Sequence, residues 1–350
     1  MRYLKIFIVG FLTMLIIQFG VLVFLENVYF VDSVSYSSTK IKNDTAKEAV
    51  KPKLILENGS SNITASFDGK YLAYLKDNNL FVLNSENAEK TKVSANDGME
   101  ISYYKWLYDR NRLVLVERPI SPKNGAYFKF YYYDMNNKAK VEIFNEVNNR
   151  NIEIPMHNIN EKISLIDMST LTNVIYVKLS NLNNNYSKIY RINIMAQENS
   201  INTGTHNIGK IASTKQDDVL IYENLDDKKV FSSNNNLPIE IEGNSNLSLL
   251  GVDNSDNVYL ALTNDNKTQL IYYGNISGEN WQKIDIKTSV DTNNIYVNFK
   301  GQIFIKDSSK STINEFLTGK ETYYNGNIID IYNEGIISEK NNQIIKTIFQ

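Results

Sequence analysis

Beyond residue 52 the chain reads as short alternating apolar runs separated by polar turns. Residues 66–86, SFDGKYLAYLKDNNLFVLNSE, carry two such runs, YLAYL and LFVLN, on either side of KDNN. Apolar side chains at every second position place one face of an extended strand against a core, so this stretch predicts a β-hairpin. The pattern recurs. A polar turn precedes a β-rich run at Asp68-Gly69-Lys70 (YLAYL), Asp109-Arg110-Asn111-Arg112 (LVLVE), Thr172-Asn173 (VIYVKL) and Gln216-Asp217-Asp218 (VLIYEN). It does so again at Ser255-Asp256-Asn257 (VYLALT), Asn293-Asn294 (IYVNF) and Asn333-Glu334-Gly335 (IISEK). Units about 40 residues long with several strands each are the sequence signature of a β-propeller.

Within the units a second strand is visible in LFVLN, AYFKFYYY, KIYRINI, QLIYYGN and GQIFIKD, and a weaker third in KVEIF, PIEIE and QKIDI. The run after each turn is read as the inner strand. The wide interval between Arg112 and Asn173 is explained by two insertions: the loop 118–125, bearing Pro119 and Pro122, and the polar stretch 145–161. The expectation is an all-β propeller of about seven four-stranded blades over residues 53–350, with six or eight blades also compatible. Residues 53–56 and 344–349 are expected to share a blade and so close the ring. A pair of β-sandwiches is the rival fold, and the single regular period argues against it.

The N-terminus has a different pattern. Arg2 and Lys5 precede residues 6–25, a run of twenty residues without charge, and Glu26 follows. A helix of that length spans about 30 Å, the thickness of the bilayer hydrocarbon. The positive-inside bias then predicts a cytoplasmic stub (residues 1–5), a signal-anchor helix (6–25) and a polar tether (26–52), with the remainder outside the cytoplasmic membrane. Tyr29 and Phe30 would sit at the outer interface. A cleaved signal peptide is the alternative, but the run is long and no small-x-small site follows it closely.

Composition narrows the function. The 350 residues include 37 basic and 39 acidic side chains for a net charge of -2, which gives no electrostatic case for nucleic acid. There is no cysteine, so disulfides, thiolate metal sites and a Cys nucleophile are excluded. The 49 asparagines suit many short Asx turns and also fit a low-GC coding bias, as in a Gram-positive bacterium.

The segment Ala65-Ser66-Phe67-Asp68-Gly69-Lys70-Tyr71-Leu72-Ala73-Tyr74 resembles the Ser-Pro-Asp-Gly-Lys-x-Ile-Ala-Phe repeat of TolB-type propellers and of the N-terminal propeller of dipeptidyl peptidase IV-like proteins, with Phe67 at the usual proline. The later units match only in outline. The resemblance implies the propeller fold and does not carry an activity.

Catalytic chemistry finds little support. The hydrolase domain of the dipeptidyl peptidase relatives needs a Gly-x-Ser-x-Gly elbow, which is absent. His157 and His206 are isolated, and no His-Glu-x-x-His, P-loop or Gly-x-Gly-x-x-Gly occurs. Two-carboxylate hydrolysis has candidates in Asp109, Asp167, Asp217, Asp218, Asp253 and Asp256. All but Asp167 lie at the recurring turns, where Asp has a structural role. Asp253, Asp256 and residues 264–266 lack the dense ligand alternation of a calcium loop. No metal and no cofactor is expected. The aromatic run Tyr127, Phe128, Phe130–Tyr133 reads first as packing on both faces of one strand, and Trp106 as a core residue of the repeat.

The candidate binding residues are therefore Tyr103, Tyr104, Arg118, Pro119, Pro122, Lys123, Asn124 and Tyr127, on and around the blade-2 insertion. The expectation is a membrane-anchored, extracytoplasmic, non-enzymatic binding or scaffold module for a protein partner or an envelope polymer. The alternative is a hydrolase or lyase acting on envelope glycans or peptides through channel carboxylates.

Overall fold

A computed structural model describes residues 2–24, 52–123, 125–278 and 280–350, which fall into an N-terminal helical unit and a larger β unit. Helix α1 (Arg2–Phe24) is long and apolar enough to cross a membrane, and the side chains of Phe7, Phe11 and Phe19 are exposed. Most of the tether expected over 26–52, with Tyr29 and Phe30, lies outside the described residues.

The β unit is a seven-bladed propeller. Strand β1 (Leu54–Ile55) belongs to the last blade. Blade 1 comprises β2 (Ser61–Ala65), β3 (Tyr71–Lys76), β4 (Asn79–Asn84) and β5 (Lys90–Val93). Blade 2 runs through β6 (Met99–Trp106), β7 (Arg112–Pro119) and β8 (Tyr127–Asp134). Its outer position is split between β9 (Ala139–Glu142) and β12 (Glu153–Pro155), and the hairpin β10–β11 (Phe144–Asn145 and Arg150–Asn151) stands between them. Blade 3 is β13 (Glu161–Ser169), β14 (Val174–Asn181), β15 (Ser187–Ile192) and β16 (Glu198–Ile201). Blade 4 has three strands, β17 (Ile208–Ser213), β18 (Leu220–Asn224) and β19 (Lys229–Ser232).

Blade 5 is β20 (Leu247–Val252), β21 (Asn257–Asn264), β22 (Lys267–Asn275) and β23 (Gln282–Asp291). Blade 6 is β24 (Ile295–Val297), β25 (Ile303–Asp307), β26 (Thr312–Glu315) and β27 (Glu321–Tyr323). Blade 7 is β28 (Asn327–Tyr332), β29 (Gly335–Lys340) and β30 (Gln343–Ile348), completed by β1 through the pairs Leu54–Ile344 and Ile55–Gln343. The expected closure between the two ends of the β unit is thus present.

The alternation that predicts strands is explained by burial on both faces. In β7, Leu113 and Leu115 pack with Ala73, Leu80 and Trp106 between blades 1 and 2. Val114 and Val116, pointing the other way, pack with Ile163, Ile175 and Val177 between blades 2 and 3. All four are fully buried, each stabilising the fold by about 1.5–3 kcal/mol relative to exposure. The aromatic strand β8 behaves alike: Phe128 and Phe130 face blade 3, Tyr131 and Tyr133 face blade 1. Among the described residues the core divides into seven such clusters, one at each junction between neighbouring blades.

Two sequence expectations are corrected. The strand after each recurring turn is the second strand of its blade, not the innermost; YLAYL is β3, inside which lies β2. In blade 6 alone the marked turn, Asn293-Asn294, precedes the innermost strand β24. The innermost strands escape the period-2 reading because six of the seven carry a register shift, as between Ile101 and Tyr103 in β6 and between Ile328 and Asp330 in β28. A bulge there adds a residue and turns the following side chain toward the channel. Secondly, PIEIE does not form a strand. Pro238 lacks an N–H, a single bridge joins it to Phe231, and Ile239 and Ile241 fill the core from a loop.

Candidate functional site

Antiparallel strands alternate direction, so the turns between first and second strands all lie on one face of the wheel. The second-to-third loops lie on the other. Six of the seven recurring turns, from Asp68 to Asn333, therefore form one ring, and several of them are cross-linked; Asn293-Asn294, which precedes β24, lies on the other face. The Asp68 carboxylate accepts hydrogen bonds from Ser66 Oγ (2.7 Å) and Lys70 N (2.9 Å) in its own turn and from Asn111 Nδ2 (3.0 Å) in the next blade. Asp253 accepts from Ser255 N (2.8 Å) and Asn257 N (2.9 Å). Asp256 accepts from the amides of Lys215, Gln216 and Asp217 in blade 4. Asp218 accepts from Tyr176 Oη (2.7 Å) and pairs with Arg191, both of blade 3. These acids serve as turn and inter-blade acceptors.

Tyr108, in the turn after β6, sits at the centre of this ring. Its ring stacks on Phe299 of blade 6, with 5.4 Å between centroids and 3° between planes. Its hydroxyl donates to Asp167 of blade 3, and the Lys215 ammonium of blade 4 lies 4.4 Å from its ring centroid. A side chain that reaches blades 3, 4 and 6 from blade 2 must cross the channel axis. Asp167 is further held by Ser213 N (2.5 Å), Ser213 Oγ (2.9 Å) and Lys215 Nζ (3.2 Å). Burial would raise its pKa, but the Lys215 charge and these donors outweigh that and hold it below the usual range. Burial pulls the Lys215 ammonium below its ordinary value, with Asp167 offsetting only part.

Above the Tyr108–Phe299 stack, between blades 1, 2, 6 and 7, is a cavity of about 260 Å³ walled by Phe67, Tyr103, Tyr108 and Phe299. Two charged side chains also line it, Lys105 from β6 and Asp330 from β28. Asp330 accepts from Ala65 N (2.7 Å) and Ile331 N (2.9 Å). Burial nonetheless pushes its pKa up to about 6, against the pull of those amides and the Lys105 charge. Neither Asp330 nor Lys105 forms an ion pair among the described residues; the Lys105 ammonium rests 5.3 Å from the Tyr108 ring centroid.

The residues expected to form a site are not one patch. Tyr103 lines the channel cavity, and its hydroxyl accepts from Ile166 N (3.3 Å). Tyr104 is buried between blades 1 and 2, with its hydroxyl donating to Ala73 O (2.7 Å), which removes it from any surface. Arg118 lies in β7 and pairs with Glu100 (2.6 Å). Pro119 at the end of β7, Pro122 and Lys123 in the β7–β8 connection and Tyr127 at the start of β8 remain at the opposite face, where Lys123 and Tyr127 are exposed. Asn124 lies outside the described residues. Sequence reasoning missed Ile120, exposed in the same loop, and the channel residues Lys105, Tyr108, Phe299 and Asp330. The available signal was a lone charge in an otherwise apolar strand, as in Ile328-Ile329-Asp330-Ile331.

No family model matches the chain, and no curated protein matches it. Solved structures do. The β-propeller domain of Cps50 (Swd1) from Myceliophteria thermophila is 10% identical over 84% of this chain and 98% of its own, with a TM-score of 0.50. A chain of the mitotic checkpoint complex is 11% identical over 91% of this chain and 99% of its own, with a TM-score of 0.48. Dipeptidyl peptidase 4 of Porphyromonas gingivalis is 13% identical over 82% of this chain, with a TM-score of 0.42, and this chain covers only 45% of its length. At such identities the likeness concerns the fold alone, and the fold is that of a seven-bladed β-propeller.

Proposed function

We propose that the chain is a membrane-anchored, extracytoplasmic propeller that binds a protein partner without catalysing a reaction, using the blade-2 loop around Ile120, Lys123 and Tyr127. The observation that carries this reading is the commitment of Asp68 and of four of the six candidate acids; among the described residues Asp109 pairs only with its neighbour Arg110, and Asp217 is exposed. Hydrolysis of a glycan between two carboxylates needs both free to act on substrate. Asp68, Asp167, Asp218, Asp253 and Asp256 are each held by turn or inter-blade donors, and the Tyr108–Phe299 stack lies across the channel at that face. The opposite face carries an exposed loop with two apolar side chains, Ile120 and Tyr127, and one cation, Lys123. Rigid scaffolds with such loops are suited to recognition. Helix α1, with Arg2 and Lys5 in its first turns, supplies the anchor, with its N-terminus inside.

In-cell crosslinking of a C-terminally tagged full chain, followed by mass spectrometry, tests this. A defined protein recovered with wild type and lost with Ile120→Asp/Tyr127→Ala supports the proposal. Turnover of wall glycan or peptide by the purified chain, or crosslinking unaffected by those substitutions, overturns it.

A further inference from the structure

The channel cavity holds two opposite charges that do not pair. Lys105 and Asp330 line the same 260 Å³ space, yet no ion pair forms between them or with any other described residue. Opposite charges in one low-dielectric cavity attract strongly, and a folded protein ordinarily lets them meet or keeps them apart with a group of its own. Here the strands hold them apart. Lys105 is fixed in β6, its ammonium resting against the Tyr108 ring. Asp330 is fixed in β28 by the amides of Ala65 and Ile331. Both side chains are half-buried, so each faces the channel rather than the core.

We infer that this cavity binds a small zwitterion of the free α-amino acid class, its carboxylate against Lys105 and its ammonium against Asp330. The charge arrangement selects against simpler ions: a bare carboxylate meets Asp330, and a bare amine meets Lys105. The Tyr103 hydroxyl accepts from Ile166 N and has no acceptor for its own proton among the described residues, so it can donate to the ligand carboxylate. Phe67 and Phe299 supply apolar wall for a hydrocarbon side chain. The volume lies just below the common range for ligand pockets, about 300–1,000 Å³, which suits an amino acid and excludes a long peptide. The raised pKa of Asp330 fits a carboxyl without a cation; an arriving ammonium supplies one and drives the proton off.

The test uses the detergent-solubilised full chain. Calorimetric titrations employ L-alanine, L-leucine, L-phenylalanine and Ala-Ala, with acetate and ethylammonium as single-charge controls. At least one zwitterion is expected to bind tenfold or more tightly than either control. Lys105→Met and Asp330→Asn should each weaken it tenfold or more, and Asp330→Asn should narrow the gap between amino acid and acetate. Should either variant fold poorly, wild type decides: titration at pH 6 in two buffers of different ionisation enthalpy should reveal proton release on binding. No zwitterion binding, binding unmoved by both substitutions, or binding at pH 6 without proton release overturns the inference.

Discussion

Tyr108 and Phe299, from blades that are not neighbours, lie in parallel with 5.4 Å between their ring centroids. The contact spans the wheel and is tied to blade 3 by the Tyr108 hydroxyl on Asp167. Tyr108→Phe keeps the stack and loses that bond, which for a charged acceptor is worth about 1.5–3 kcal/mol. Tyr108→Ala loses both and should be the more destabilising. Urea denaturation of the two variants measures the difference, and equal midpoints would mean that the stack contributes nothing.

The Lys215–Asp167 pair is buried on both sides. Removing one partner strands the other charge, at about 3–5 kcal/mol. Lys215→Met alone and Asp167→Asn alone should each lower the melting temperature more than the double substitution does. A double variant as unstable as the sum of the two would show that the groups act independently.

Asp330 sets a pH dependence opposite in sign to that of paired acids. Its folded pKa, about 6, lies above the ordinary value of 3.8, so between these values the folded state binds more protons than the unfolded. Its contribution to stability therefore falls as pH rises through that window and is lowest above about 6. The change is on the order of 3 kcal/mol. Asp330→Asn should flatten the stability profile between pH 4 and 6; an unaltered slope would place the titration elsewhere. Glu57, held near a pKa of 2 by Lys76 and Lys90, works the other way: its contribution is present above about pH 4.5 and is lost as pH falls toward 2.

Gly69 has φ +65°, and a Cβ there would lie 2.6 Å from the Tyr332 ring. Gly69→Ala should cost about 1–3 kcal/mol through backbone strain and overlap. Adding Tyr332→Leu should recover only the overlap part. Full recovery would mean that the left-handed backbone costs nothing at this turn.

Much of the wheel was legible because the second and third strands bury both faces. Leu113–Val116 and Phe128–Tyr133 alternate between two cores, and the turns before them need residues tolerant of positive φ, such as Gly69, Asn173, Asp218 and Asp256. Asp at those turns had a local signature and a structural role. The innermost strands were hidden for the opposite reason. One side of each faces the channel, where Lys105, Asp167 and Asp330 interrupt the apolar pattern, and the bulges shift its phase. The Tyr108–Phe299 contact joins residues far apart in sequence and has no local sign at all. The loop residues Lys123 and Tyr127 were visible because prolines mark the insertion, whereas Tyr104, next to Tyr103, faces the core because adjacent strand residues point to opposite sides.

The seam of the ring has a mechanical consequence. Leu54 and Ile55 of β1 pair with β30, Leu56 N donates to Asn342 O (3.0 Å), and the chain toward helix α1 leads away from the start of that strand. Tension along the chain from an anchored helix would therefore load this short seam before it reaches any other blade. The wheel would yield by unlatching at blade 7, keeping blades 1 to 6 folded, and could close again once the pull ceased. A membrane anchor would thus be fastened to the strand that closes the ring, so that drag along the chain reaches that closure first.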